Sequence, residues 1–416
     1  MRTLACYVVS FGAIAALLAG CGGSQPPIGA PGVMRQTHAL GARGKSTNYK
    51  VLYRFRGKPD ASLPYASLID VDGTLYGTTE KGGTANRGVI FSITQNGTEK
   101  VLYSVKKAPD GALPAAAVID VKGTLYGTTL AGGSYRYSYY SDAGTVFSVT
   151  TSGAEKVLHS FGHRNDGVQP VASLFDGSQR LYGTTRIGGK HNCGTVFSIT
   201  TSGSERLRYS FAGGADGCAP VAGLIDVGGT LYGTTSRGGA YSVCAGGGGC
   251  GTVFSVTKSG TEKVLHSFGY GTDGGIPRAG LIDVDGTLYG TTSSGGTNGN
   301  GTVFSITTSG SEKVVYSFGG DTDGSNPTAG LIDVGGTLYG TTANGGSAGF
   351  GTVFSISTSG AKTVLHDFTG GANGANPSAS LLDVAGVLYG TTARGGRHKG
   401  DCHTSLGCGT VFALSP

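Results

Sequence analysis

Short runs of alternating apolar and polar residues follow one another along most of the chain, most clearly around position 300. Residues 279–284, 287–292, 301–307 and 313–318 each form such a run. An Asp-Gly pair separates the first two, which is typical of a two-residue hairpin, and segments rich in Gly and Ser separate the others. The pattern predicts four short antiparallel strands, which we name A, B, C and D.

This four-strand unit is repeated. The string Leu-Tyr-Gly-Thr-Thr of strand B starts at seven positions: Leu75, Leu125, Leu181, Leu231, Leu288, Leu338 and Leu388. Apolar residues point to both sides of the predicted strands, as Val303 and Phe304 do, so each sheet needs cover on both faces. Stacked neighbours supply that cover. We predict an all-β fold, a seven-bladed β-propeller with four antiparallel strands per blade, and number the blades in chain order.

The two ends of the repeat region each lack part of a unit. Residues 50–55 resemble a strand D with no A, B or C before it, whereas the last unit ends after strand C. Together the two ends make one complete blade, so we predict that the N-terminal strand joins the C-terminal blade and closes the ring. A β-solenoid is the alternative, but an open array gains nothing from this split and needs capping repeats.

The N-terminus has the features of an export signal, with Arg2 followed by an apolar run and small residues. Residues 18–21, Leu-Ala-Gly-Cys, resemble the lipobox of bacterial lipoproteins, which implies cleavage before Cys21 and lipid on that cysteine. Gly22 then permits sorting to the outer membrane. An ordinary secretory signal is the alternative. We expect a signal peptide at 1–20, a lipidated cysteine and flexible tether at 21–48, and a single propeller domain at 49–416.

Composition agrees with this assignment. Gly accounts for 79 of the 416 residues, and each Gly disfavours a helix by about 1 kcal/mol. The net charge is +6 with no basic run, so we expect no nucleic-acid partner. Motifs of serine hydrolases, zinc proteases and phosphate-binding loops are missing from the sequence, and we expect no cofactor. We expect a monomer.

The repeated strings resemble a known family. Gly-Thr-Val-Phe-Ser-Ile-Thr-Thr-Ser-Gly-Ser-Glu-Lys-Val-Val-Tyr-Ser-Phe at 301–318, with Ala-Gly-Leu-Ile-Asp-Val-x-Gly-Thr-Leu-Tyr-Gly-Thr-Thr, is similar to the GloVer tandem repeat of exported, choice-of-anchor bacterial proteins. The resemblance covers residues 50–416. It implies a surface or envelope location and no established activity. The strand order is also similar to quinoprotein propellers, but those blades end in a Trp that this chain lacks, which argues against a pyrroloquinoline quinone site.

Alternating strand direction places the B–C loops and D–A connectors on one face, which we name the loop face. The B–C loops of blades 2, 4 and 7, at 130–143, 236–250 and 393–408, are longer than the others. Variable loops on a rigid scaffold often carry recognition, and tyrosines supply contact area with a polar tip. The predicted ligand-binding residues are Tyr135, Arg136, Tyr137, Tyr139, Tyr140, Arg397 and His398. A tyrosine loop that folds back on the face is the alternative.

Six cysteines lie in the predicted propeller, and an even number in an exported chain favours disulfides. Two pairs have the same spacing just before strand C, and a third joins the blade 3 loop to the following connector. The predicted pairs are Cys193–Cys218, Cys244–Cys250 and Cys402–Cys408. A zinc site is the alternative in the blade 7 loop, with ligands His398, Cys402, His403 and Cys408.

Two recurring polar positions are interpreted as structural. Strand A of every unit carries an aspartate, which we interpret as a hydrogen-bond acceptor beside the hairpin turn; these are Asp70, Asp120, Asp176, Asp226, Asp283, Asp333 and Asp383. In strand D, His159, His266 and His366 take the place of a tyrosine. We interpret that interchange as packing tolerance.

These features favour a lipid-anchored propeller of the cell envelope that acts as a non-enzymatic binding or interaction module through its loop face. The membrane would be its partner through the lipid, and a glycan or envelope protein its ligand. One alternative is a hydrolase or lyase acting on extracellular polysaccharide, with Asp142, Asp401 and His403 as weak catalytic candidates. A structural surface protein is another.

Overall fold

The computed structural model describes residues 48–416 apart from 107, 139–140, 242, 245–247, 270, 397–401 and 403–405, and it describes 136–138, 141 and 142 by their backbone alone. Seven four-stranded antiparallel sheets form within these residues. In six of them the four strands follow one another along the chain. The predicted seven-bladed β-propeller is confirmed.

The first four blades are built from consecutive strands A to D. Blade 1 consists of Ile69–Val71, Thr74–Thr79, Val89–Thr94 and Glu99–Ser104. Blade 2 consists of Ile119–Val121, Thr124–Thr129, Thr145–Thr150 and Glu155–Ser160. Blade 3 consists of Phe175–Asp176, Leu181–Thr185, Thr195–Ile199 and Glu205–Ser210. Blade 4 consists of Ile225–Val227, Thr230–Thr235, Thr252–Thr257 and Glu262–Ser267.

The last three blades complete the ring. Blade 5 consists of Ile282–Val284, Thr287–Thr292, Thr302–Thr307 and Glu312–Ser317. Blade 6 consists of Ile332–Val334, Thr337–Thr342, Thr352–Ser357 and Lys362–Asp367. Blade 7 consists of Leu382–Val384, Val387–Thr392, Thr410–Ser415 and the N-terminal strand Asn48–Arg54.

Smaller elements lie in the loops and connectors. Short strands form the pairs Ala61–Ser62 with Lys81–Gly82, Gly111–Ala112 with Ala131–Gly132, and Arg136–Ser138 with Ser141–Asp142. Single 3-10 turns occur at Gly214–Asp216, Asp321–Asp323 and Gly371–Asn373. Among the described residues, no helix has the length and apolar composition of a membrane span.

The N-terminal strand closes the ring as predicted. Asn48–Arg54 runs antiparallel to Thr410–Ser415, with Val51 opposite Phe412 and Arg54 opposite Thr410. A second contact closes the ring closer to the axis, where the Thr391 hydroxyl donates a hydrogen bond to the Ala66 carbonyl at 3.2 Å. The other blades make the same bond to the next blade in sequence, for example from Thr291 to Ala329 at 3.1 Å. Blade 7 therefore meets blade 1 as any blade meets its neighbour.

The core lies between the blades. One cluster, for example, joins Tyr289 and Val303 of blade 5 with Leu338 and Phe354 of blade 6. At six of the seven junctions, the Phe after strand D meets the strand C Phe of the next blade edge to face, with ring centroids 5.0 to 5.4 Å apart. Sheets that are apolar on both faces thus cover each other, which is why a single blade would not be stable alone.

The glycine of Leu-Tyr-Gly-Thr-Thr makes room for this aromatic layer. Gly290 lies opposite Phe304 on the neighbouring strand. A Cβ on Gly290 would lie 2.6 Å from Phe304 Cζ and 2.8 Å from Leu281 Cδ2. The ring of Phe304 therefore occupies the space that a side chain at 290 would need, and the same arrangement holds in the other blades.

Candidate functional site

Disulfides connect loops and connectors on the loop face. Those in the described chain are the three predicted pairs, with Cα atoms 4.5 Å apart in Cys193–Cys218, 5.1 Å in Cys244–Cys250 and 4.9 Å in Cys402–Cys408. Each of these cysteines lies in a B–C loop or a D–A connector. Two disulfides close the long loops of blades 4 and 7, so Cys402 and Cys408 are bonded to each other and are not free zinc ligands.

The base of each B–C loop is also held by backbone pairing. In blade 4, Cys218 of the entering connector and Arg237 of the loop form an antiparallel bridge. Corresponding bridges or two-residue ladders occur in the other blades, such as Ser325 with Asn344 in blade 6. The loops therefore start from fixed positions, and the repeat varies mainly at their tips.

A groove opens beside the long loop of blade 2. It has a volume of about 590 Å³ and is lined from blades 2 and 3 by Tyr135, His163, Asp166, Glu205 and Leu207, among others. The side chains of Tyr135 and Leu207 are 43% and 42% exposed, respectively. The Tyr135 and His163 rings lie 5.4 Å apart at a tilt of 38°. Of the predicted ligand-binding residues, Tyr135 is the one whose side chain the structure describes.

The carboxyl groups of this groove differ in their surroundings. Asp166 accepts hydrogen bonds from the Gly162 amide and pairs with the His159 ring at 3.0 Å. Glu205 has a buried Oε1 that finds no partner in the described part of the molecule. Burial raises the pKa of Glu205, and Asp166 raises it further while His159 lowers it. The groove thus combines an exposed aromatic ring, apolar surface and hydrogen-bonding carboxyl groups.

The remaining predicted site residues stay predictions. Arg136, Tyr137 and Asp142 lie on a short two-stranded hairpin whose backbone alone is described. Outside the described residues lie Tyr139, Tyr140, Arg397, His398, Asp401 and His403, together with the predicted lipidation site Cys21. Among the residues that are described, no group of three His, Cys, Asp or Glu side chains could hold a metal ion.

The strand D histidines do more than tolerate packing. His159, like Tyr103 at the same position in blade 1, hydrogen-bonds a carboxylate seven residues later, Asp166 and Asp110 respectively. The same carboxylates accept a backbone N–H of the connector. Tyr and His interchange because a hydroxyl and an imidazole both reach the side-chain oxygen at this position, which belongs to an aspartate for His159 and His266 and to Asn373 for His366. At the strand A position, Asp226 accepts the Gly229 amide in the hairpin turn, and Asp176 and Asp383 accept in the same way.

The axis of the ring carries a second concave feature. Small residues before each strand A, such as Ala116 and Ala279, line a narrow channel of about 120 Å³. On the loop face it opens into a funnel of about 710 Å³, whose lining includes Arg186, Arg237 and Arg278. Sequence reasoning missed these arginines. Aligning the seven repeats would have shown them as charged residues at positions where other blades carry Ala115, Ala131 or Ala343.

Comparison with known proteins agrees with this architecture. The family model of the Gloeobacter/Verrucomicrobia repeat matches residues 42–245 and 241–416. The chain belongs to this family. No curated protein matches it. The two matches together cover all seven blades, and the predicted tandem-repeat membership is confirmed.

Two solved structures resemble this member of the Gloeobacter/Verrucomicrobia repeat family in fold. Virginiamycin B lyase from Staphylococcus aureus aligns with a TM-score of 0.55 at 12% identity, covering 89% of this chain and 99% of that one. Quinohemoprotein alcohol dehydrogenase from Comamonas testosteroni aligns with a TM-score of 0.53 at 12% identity, covering 89% and 76%. At such identity the likeness shows the propeller scaffold and nothing about chemistry.

Proposed function

We propose that this chain is a lipid-anchored propeller of the bacterial cell envelope that acts as a non-enzymatic binding module. Its ligand, a glycan or an envelope protein, binds on the loop face. The observation that carries this proposal is the concentration of all described disulfides on that one face, where two of them close the long loops of blades 4 and 7 and the third ties the blade 3 loop to the next connector. Fixed loops of unequal length lose little conformational entropy on binding, which favours recognition.

The groove beside Tyr135 supports a glycan as the ligand. Sugar rings stack their apolar faces on exposed aromatic rings and place hydroxyls on carboxylates and amides, and such sites combine apolar surface with a few polar groups. Tyr135 and Leu207 offer the exposed apolar surface, while Asp166 and Glu205 offer acceptors. The groove volume of about 590 Å³ is large enough for one or two sugar units.

The envelope location is supported by the sequence alone. An apolar run preceded by Arg2 and ending in Leu-Ala-Gly-Cys21 fits export followed by lipidation. Labelling cells with a radioactive fatty acid should mark the parent protein and leave a Cys21→Ser variant unmarked. An unmarked parent protein would exclude the lipid anchor but not the binding function.

The binding function is tested with the soluble part from residue 22. We expect saturable binding to at least one polysaccharide from a panel of purified peptidoglycan, neutral capsular glycans and acidic capsular glycans. Tyr135→Ala should weaken that binding about tenfold, which corresponds to about 1.4 kcal/mol, and leave the melting temperature unchanged. Lys122→Ala, an exposed change in the hairpin turn of the opposite face, is the matched control. Release of shorter sugars from the panel would favour the hydrolase or lyase alternative instead.

A further inference from the structure

The funnel at the mouth of the central channel concentrates positive charge. Arg186 comes from the B–C loop of blade 3, Arg237 from that of blade 4, and Arg278 from the connector into blade 5. All three side chains line the funnel and reach solvent, although the funnel wall partly encloses Arg278. Within the described part of the chain none of them forms an ion pair or a hydrogen bond through its side chain.

Arg278 lies in the same funnel as two like charges. Burial and then the charges of Arg186 and Arg237 lower the pKa of Arg278. None of the described residues that line the funnel is acidic, although Glu80, which takes the position of Arg186 in blade 1, acts on the lining residue Tyr65. An anion that enters the funnel would reduce the repulsion that disfavours the ionised form of Arg278. Hydroxyl groups of Tyr65 and Thr328 line the same funnel and can donate further hydrogen bonds, and Thr328 Oγ1 is buried without a partner in the described structure.

We propose that the funnel binds a small oxyanion-bearing ligand, with Arg186, Arg237 and Arg278 as its charged contacts. The planar guanidinium group pairs with the two oxygens of a carboxylate or phosphate, so several arginines around one space suit a ligand with more than one such group. The funnel volume of about 710 Å³ is in the usual range for small-molecule sites. The channel below it has a volume of only about 120 Å³ and is lined by alanines and other small residues, so the funnel offers the larger space for a ligand.

This site is separate from the Tyr135 groove. The groove is formed by strands D and connectors of blades 2 and 3 at the outside of the ring, whereas the funnel lies on the axis. The proposal therefore does not depend on glycan binding, and either site can fail its test without the other.

The repeat itself provides variants that should fold. Alanine occupies the position of Arg278 in blade 2, as Ala115, and the position of Arg237 in the same blade, as Ala131. Ala343 of blade 6 stands at the position of Arg186. Replacing each arginine with alanine thus introduces a residue that another blade already accepts at that place. Arg206→Ala, on the outer strand of blade 3, removes the same charge away from the funnel and is the matched control.

The test is calorimetric titration of the soluble protein with sodium citrate, D-glucuronate and inorganic phosphate, with glucose as the neutral probe. We expect saturable binding of at least one oxyanion, no binding of glucose, and an affinity that falls with added salt. Arg278→Ala should weaken binding about tenfold or more, because it removes a charge-assisted hydrogen bond to the oxyanion. The triple alanine variant should abolish it, while Arg206→Ala leaves it intact.

The three oxyanions separate the possible sources of the ligand. Preference for glucuronate or citrate indicates a carboxylate ligand, whereas preference for phosphate indicates a phosphorylated one. The proposal is overturned if no probe saturates below about 10 mM, a concentration that corresponds to very weak binding. It is also overturned if the triple variant binds as tightly as the parent while both proteins melt at the same temperature.

Discussion

Lys362 Nζ lies 2.8 Å from Asp323 Oδ1, across the junction between blades 6 and 5. The Lys362 side chain is only 3% exposed, and its ammonium group lies 5.3 to 5.5 Å from the ring centroids of Tyr316, Phe318 and Phe354. Burial opposes ionisation of Asp323, but the Gly319 amide, Lys362 and Tyr316 together lower its pKa. The junction between blades 5 and 6 therefore contains a partly buried ion pair between Asp323 and Lys362.

Five other junctions place a glutamate where Lys362 stands. Each of these glutamates has a buried Oε1 without a partner in the described structure; they are Glu99, Glu155, Glu205, Glu262 and Glu312. Burial, followed by the facing Asp216, raises the pKa of Glu262 to about 8. Burial and the facing aspartate likewise raise the pKa of Glu99, Glu155 and Glu312 to about 7.

We predict that Glu262 makes the protein less stable as the pH rises. Its pKa is about 8 in the fold, above the usual 4.5 of a glutamate side chain, so the folded state binds the proton more tightly. The contribution is fully present below pH 4.5 and is lost as the pH rises through 8. Glu262→Gln should therefore melt like the parent at low pH and at a higher temperature at alkaline pH.

Glu262→Gln must be compared with the parent protein at each pH, because buried histidines change the pH dependence of stability in the opposite direction. Burial lowers the pKa of His266 and His366, so they favour unfolding as the pH falls below their unperturbed value of 6.5. Asp72→Asn, an exposed change in a hairpin turn, is the control for a lost carboxylate. Parallel melting curves of parent and Glu262→Gln across the whole pH range would contradict the prediction.

The Lys362–Asp323 pair should be required for stability. Lys362→Met keeps the apolar stem but leaves the Asp323 carboxylate without its cation, and we expect a loss of about 1–3 kcal/mol in the free energy of unfolding. Asp323→Asn in the same protein should recover part of that loss, because the neutral amide needs no counter-charge. Denaturant unfolding of the parent, both single variants and the double variant measures the coupling. Additive effects would show that the pair does not interact.

Gly290 should not accept a side chain. Gly290→Ala places a methyl group against Phe304 and Leu281, and overpacking of this kind typically lowers stability by about 1–3 kcal/mol. Gly271→Ala is the control, because a Cβ at 271 would meet nothing within 4 Å. Combining Gly290→Ala with Phe304→Leu, which replaces the ring with a smaller side chain, should restore part of the lost stability. Equal melting temperatures for the two glycine variants would refute the packing argument.

The closing strand should hold the ring together. Deleting residues 1–54 exposes the edge of Thr410–Ser415, and an unpaired edge strand promotes association with other chains. We expect a lower melting temperature and oligomers in size-exclusion chromatography. A synthetic peptide of residues 48–54 should restore the monomer, and deletion of residues 1–47 alone should leave the melting temperature unchanged. A stable monomer without the closing strand would argue against closure by residues 48–54.

Much of the fold was predictable because each repeat encodes the same local pattern. The Asp285-Gly286 turn, the apolar positions of strands B and C, and the missing strand D at residue 416 were enough to predict seven blades and their closure. The cysteine pairs could be predicted because their partners lie in the same loop or in a loop and the next connector. The interchange of His and Tyr in strand D could not be explained from the sequence, because it depends on the hydrogen bond between His159 and Asp166 that the folded connector makes possible.

The period, the strands, the split blade and the loop face could be read from the amino-acid sequence, since these follow from local hydrogen bonding and from the burial of apolar residues on both sides of each strand. Which charged groups meet depends on how the blades are arranged in space. Arg186 and Arg278 are 92 positions apart, and Glu262 faces Asp216 of the preceding blade. Their proximity depends on the angle between neighbouring blades and on the distance of each residue from the axis, and neither quantity is encoded in any single repeat.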